Sequence, residues 1–344
     1  MNIKKLMLAV LLCVFFKTLA ARPMVNVYVW GGEIPKQVIQ EFETQTGIKV
    51  NFSTYDSNET MYAKLKASRN NSYDVILPSA YYVERMIKQG LLSALNRDQL
   101  PNLKNLDPYF AKNNYDPGND FSVPLTWGVS GIFYNSLYIK KPPHTWNQIW
   151  EPQWRQQLML LDDAREVFSI ALLSLGFSPN DNNSQHILAA YKKLLQLTPN
   201  IKLFASDSIQ ANIIDEDAFL GSAWNGDVFK AHAENSMIHF QYPQDGFVIW
   251  VDCLAIPKDP PHPNAAYSFI NYMLSVYAGK KIALIEGHAI TNLQARSQLP
   301  ATIKNNKTIY PSHGVLKHGH FQRDLDENSL ALINDYWQKL KLTF

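Results

Sequence analysis

The sequence predicts an α/β protein of two domains, built on a mostly parallel sheet with helices on both faces. Three observations predict it. The chain has 344 residues, enough for two cores of ordinary size. From Met24 onward, short apolar runs alternate with amphipathic helical patterns, the order that builds parallel sheets through helical crossovers. An extended stretch around Val123–Tyr134 breaks that alternation and reads as a crossing into a second lobe.

The first residues read as an export signal. Lys4 and Lys5 form a basic start, Leu6 to Phe16 is an apolar run too short to span a bilayer, and Thr18-Leu19-Ala20 or Leu19-Ala20-Ala21 offers a small-residue cleavage site. An uncleaved anchor does not fit the short run, and a lipid on Cys13 does not fit an apolar run that continues past it. On this reading residues 1–21 are removed, and the formal charge of +2 becomes (32 − 3) − 30 = −1 with the loss of Lys4, Lys5 and Lys17. Cys253 is then the sole cysteine, so no internal disulfide forms. A near-neutral chain without a basic run argues against nucleic acid as a partner.

Val25, Val27 and Val29 predict a strand ending at Trp30. Pro35 suits the first turn of a helix closed by Gly47, followed by a strand over Ile48–Phe52. Asp56 and Glu59 have capping-box spacing before a helix through Met61 and Leu65. Val75-Ile76-Leu77 is a buried strand, and Ser79 stands where it would cap a helix reaching Gly90. In the second half, Leu158–Leu161 predicts a buried strand. Asp163 and Glu166 then open a helix that ends at Gly176. A helix over Ser184–Leu197 with Ser184 as its cap, a strand and turn over Leu220–Asp227, and a long strand from Phe247 to Pro257 follow. Helices over Ala265–Leu274 and Ser329–Leu340 close the chain, the last with Leu332, Ile333, Tyr336 and Leu340 facing inward.

The chemistry lies at element ends. Asp163 and Glu166 sit at a helix N-terminus, where backbone N–H groups and the helix dipole favour ionised carboxylates. They serve as a cap, as a ligand grip, or as both. Alternation puts Trp250 and Asp252 on one face of a strand otherwise apolar. A carboxylate there needs a partner, either a neighbouring loop or a ligand. Trp30, Ser79 and Tyr81 fall at strand ends, where ligands of such sheets bind. No G-x-S-x-G, H-E-x-x-H or P-loop motif is present. His313, His318 and His320 lack metal-ligand spacing, and Cys253 reads as a core residue. What remains is aromatics (Trp30, Tyr81, Trp224, Trp250) and acids (Asp163, Glu166, Asp252), which suit an elongated polycation with methylene segments.

On Ser57–Leu65, Asp162–Phe168, Trp224-Asn225-Gly226 and Trp250-Val251-Asp252 before Leu254–Pro257, the mature chain resembles the periplasmic polyamine-binding proteins of ATP-driven importers. The resemblance implies a two-lobe periplasmic-binding-protein fold of type II with the ligand in the interlobe cleft. It implies a first lobe of residues 24–128 and 252–297 and a second of 129–251 and 298–344. It also implies a periplasmic monomer that binds spermidine or putrescine, delivers it to an inner-membrane ABC permease, and uses no cofactor, metal or catalysis. Ser79 and Tyr81 then match first-lobe contacts, and Ser206 and Gln322 second-lobe contacts. Two positions depart from the family. Trp30 is followed by Gly31-Gly32-Glu33, where a small polar residue, an acid and a Tyr are usual, and His288 stands where a Tyr is usual. Glu33 is either the displaced first-lobe acid or a solvated charge at the end of the helix begun by Pro35. Two other functions remain open: a polyamine sensor docking on a membrane receptor, and a carbohydrate-active enzyme using Asp163 and Glu166 as its acid pair.

Overall fold

A computed structural model describes residues 22–67, 72–111 and 114–344, so the export signal expected over residues 1–21 lies outside the described residues. The first part follows the expected alternation: β1 (Met24–Trp30), α1 (Lys36–Thr46), β2 (Lys49–Tyr55), α2 (Asn58–Ala67), β3 (Val75–Ile76) and α3 (Ala80–Lys88). The chain crosses on β4 (Ser122–Asn135) to β5 (Leu158–Leu160), α4 (Ala164–Ser174), α5 (Ser184–Leu197), β6 (Ile201–Phe204) and α6 (Ile209–Ile214). There follow β7 (Leu220–Trp224), α7 (Asn225–Glu234) and β8 (Ile238–Gln241). It returns on β9 (Phe247–Ala255) to α8 (Pro263–Met273), α9 (Val276–Glu286) and β10 (Ala289–Ile290), then passes through β11 (Gly319–Phe321) to α10 (Glu327–Lys341).

One sheet runs through both lobes in the order β2-β1-β3-β9-β4-β7-β5-β6, with β8 and β10 on β4 and β11 on β9. Its flanks are parallel, β2-β1-β3 in one lobe and β7-β5-β6 in the other. Its centre, β3-β9-β4-β7, is antiparallel. The sheet is therefore mixed rather than mostly parallel, because β4 carries the chain out and β9 brings it back alongside. Residues 122–129 of β4 pair with β9, and residues 130–135 pair with β7 and β8.

Each lobe has its own apolar core. Val25, Val27, Phe42, Ile76 and Phe269 anchor the first; Leu158, Phe168, Leu194 and Trp337 anchor the second. Leu299, Ile309 and Tyr310 pack in the first core and Leu325 in the second, so the last crossing lies beyond residue 310 rather than at 298. It is braced by Arg323, which donates to both Glu84 oxygens at 2.9 and 3.0 Å, and by Arg85, which donates to Asp324 at 2.9 Å.

Several local expectations are revised. Helix α2 is capped by the Ser57 hydroxyl, which accepts from Thr60 N at 3.2 Å, not by an Asp56–Glu59 box. Asn183 rather than Ser184 caps α5. The expected turn after Trp224 is the first turn of α7. In α10, Trp337 is buried where Tyr336 was expected, since the inner stripe runs Ile333, Trp337, Leu340.

Candidate functional site

The strands of both lobes point their C-terminal ends at one place. Trp30 ends β1, Ser79 follows β3, Asp163 follows β5, Ser206 follows β6, and Trp224 ends β7. Between these ends lies a cavity of about 760 Å³, and all five residues line it. So do Glu33, Tyr81, Glu166, Trp250, Asp252, His288 and Gln322, which completes the set of candidates read from the sequence.

On the first-lobe side, Asn58 organises the wall. Its Nδ2 donates to Ser79 Oγ and to the Tyr81 hydroxyl, each at 3.1 Å. Ser79 holds the N-cap position of α3, but its hydroxyl does not cap the helix. It donates to Asp252 Oδ1 at 2.6 Å. Asp252 is thus both partnered by a loop, as one reading held, and turned to the cavity, as the other held. Thr126 lies opposite Asp252 on the β4–β9 pair, and its hydroxyl donates to Glu33 Oε2 at 2.7 Å. Glu33 and Asp252 therefore face one region. Glu33 is 6 % exposed and precedes α1 in the loop, so the reading of a solvated helix-end charge does not describe it.

Trp250 lies across β4 because Gly128 stands opposite it in register; a Cβ there would come within 2.2 Å of the indole. The His288 ring meets the indole edge-on at 5.9 Å between centroids, with its Nε2 3.5 Å from Glu33 Oε1. Trp30 packs on Tyr55 at 4.9 Å. Among the described residues, the indole N–H groups of Trp30 and Trp250, the Ser206 hydroxyl and the Gln322 amide nitrogen find no hydrogen-bond partner.

On the second-lobe side, Asp163 caps α4, its Oδ1 accepting from Glu166 N at 2.9 Å. Capping does not keep these acids easily ionised, contrary to the expectation from the helix end. Burial raises the pKa of both; the charge of Asp163 adds to the rise of Glu166, to about 8, and the Glu166 N–H and nearby Arg165 only partly offset the effect of burial on Asp163. Asp252 is raised well above the ordinary carboxylate range, by burial first and by the charge of Glu33 second. The Arg165 guanidinium lies 5.2 Å from the Tyr81 ring and donates to Asn180 and the Arg323 carbonyl, and its charge acts on Asp163 and Glu166 without a direct ion pair. Among the described residues none of these three carboxylates forms an ion pair. Buried acids without a counter-ion favour a cation.

The family model for bacterial extracellular solute-binding proteins matches residues 37–310. The chain belongs to this family. The spermidine/putrescine-binding periplasmic protein of Salmonella typhimurium is 39 % identical over 315 residues, 91 % of this chain and 90 % of that protein. Spermidine/putrescine-binding periplasmic protein 1 of Haemophilus influenzae is 40 % identical over 326 residues, 94 % and 90 % of the two chains. In three dimensions the fold is similar to a spermidine/putrescine ABC transporter substrate-binding protein from Streptococcus pneumoniae. The TM-score is 0.80 at 32 % identity, covering 93 % of this chain and 99 % of that one.

Sequence reasoning missed Asn58, Tyr55 and Asp227, which also line the cavity. Asn58 sits one residue before an acid at a helix start and carried no signal of burial. Asp227 was read as part of a turn, which hid its place in the first turn of α7 beside Trp224.

Proposed function

We propose that this protein binds a polyamine, spermidine or putrescine, in the interlobe cavity and delivers it to an ABC permease in the inner membrane, without bond chemistry. The observation that carries this reading is the set of carboxylates without an ion-pair partner among the described residues, half-buried Asp163 and buried Glu166 and Asp252, between the indoles of Trp30, Trp224 and Trp250. Ammonium groups restore the charge balance that burial upsets, and the indoles cover the methylenes between them. Burying about seven methylenes contributes roughly 5–6 kcal/mol before ordering costs. The spermidine/putrescine-binding periplasmic relatives support the same ligand class and a periplasmic site of action. A glycosidase reading loses support because Asp163 and Glu166 share one helix end, rather than flanking a substrate from two sides. A thermal-shift panel of diamines, triamines, amino acids and oligosaccharides tests the proposal. Stabilisation by polyamines alone is expected, and stabilisation by a neutral sugar instead would overturn it.

A further inference from the structure

A cavity that suits cations carries one of its own. Among the described residues, Lys230 is the one lysine or arginine that lines it. Lys230 lies in the second turn of α7, whose Val228 and Ala231 pack with Phe133 and Met159. Its Nζ is 3.9 Å from Glu286, which ends α9, a helix whose Ala278 and Ile282 pack in the first core. The pair therefore joins the two sides of the cavity. Gly287 lets the lysine stem through: its φ is +74°, and a Cβ there would meet Lys230 Cγ at 3.0 Å. Beside it, His288 Nε2 lies 3.5 Å from Glu33 Oε1. The side chains of Lys230 and Glu286 are 29 % and 16 % exposed, so solvent screens their charges only in part. Burial raises the carboxyl pKa of Glu286, and Lys230 is the first charge that opposes the rise. Asp163, Glu166 and Asp252 have no such ammonium paired with them; the end of the cavity bounded by Glu33, His288 and Glu286 has one built in.

We propose that Lys230 is a specificity-determining residue whose own ammonium takes the place of a third ligand ammonium at this end of the cavity, biasing the protein toward diamines over triamines. The proposal rests on the polyamine reading of the site. A lysine side chain is a four-carbon stem ending in an ammonium, the same chemistry as one arm of a diamine. The two cations of a diamine are met by Asp163, Glu166 and Asp252. A triamine is longer and brings one more cation, which meets a like charge in a space where water screens poorly. The competing role is a clasp, in which the Lys230–Glu286 pair only holds the two sides of the cavity together and ligand length does not matter.

Calorimetry with putrescine and with spermidine on the whole mature protein separates the two roles. Lys230→Met keeps a stem of similar length and removes the charge; Glu286→Gln keeps the ammonium and removes its partner. Lys230→Met is expected to raise spermidine affinity relative to putrescine affinity by about fivefold or more, the scale of one partly exposed charge. Glu286→Gln is expected to lower the same ratio. A clasp would instead weaken both ligands equally in both variants. That result, a ratio that Lys230→Met leaves unmoved, or a ratio that both variants move in the same direction overturns the proposal while leaving the polyamine reading intact. Failure of the unmodified protein to bind either ligand overturns both.

Discussion

Replacing Asp252 with asparagine should weaken binding and strengthen the empty protein, two effects of opposite sign from one charge. Asp252 is 6 % exposed, accepts a 2.6 Å hydrogen bond from Ser79, and faces the cavity beside Glu33. An asparagine oxygen can keep the Ser79 bond, so packing is preserved. In the complex, a desolvated ammonium loses its carboxylate, a loss of about 2–5 kcal/mol, or roughly 30-fold to several-thousand-fold in Kd. In the empty protein, burial and Glu33 disfavour the charged form of Asp252. Its folded pKa is raised, so its contribution to stability is present below the unfolded value of 3.8 and is lost as pH rises through the folded one. At pH 8 the neutral amide removes that loss, and the melting temperature should rise by roughly a few degrees. Calorimetric titration with spermidine and a melting curve without ligand measure both. Unchanged affinity, or affinity and melting temperature falling together, would refute the reasoning, since Asp252 would then be a structural acid.

Two further outcomes follow from the same geometry. Gly128→Ala places a methyl within 2.2 Å of Trp250 and 2.6 Å of Asn225, so it should cost about 1–3 kcal/mol of stability and also weaken polyamine binding; melting and titration check this, and no change in either would mean that the glycine does not set the indole. Polyamine binding should release protons near neutral pH, because an ammonium lowers the raised pKa values of Glu166 and Asp252; affinity should rise with pH from about 4.5 through the raised values, by up to about one decade per pH unit for each proton, and a binding enthalpy independent of buffer would count against it.

The sequence made local order and strand faces readable, because periodicity records them directly. Trp250 and Asp252 were placed on one face by alternation alone, and both line the cavity. What periodicity does not record is pairing between distant segments. The antiparallel centre of the sheet depends on β4 meeting β9 more than a hundred residues later. The Ser79 hydroxyl looked like a helix cap, but it bonds Asp252, 173 positions away, leaving the helix without a side-chain cap. The Asp163 cap was legible, yet its charge state was not, because the helix end favours ionisation and burial, which only the fold reveals, opposes it more strongly. Glu33 was left between two readings for the same reason: its contact with Thr126 spans 93 positions. The family match fills part of this gap by supplying the long-range arrangement as a whole.

The most direct test of the account is calorimetric titration of the purified mature protein with spermidine and with putrescine at pH 7.5. The account predicts saturable one-to-one binding with a Kd of about 1 μM or tighter, near −8 kcal/mol, for at least one of them. That binding should be lost by 30-fold or more in Asp252→Asn. No binding of either ligand at millimolar concentration, or binding that Asp252→Asn leaves unchanged, would contradict it.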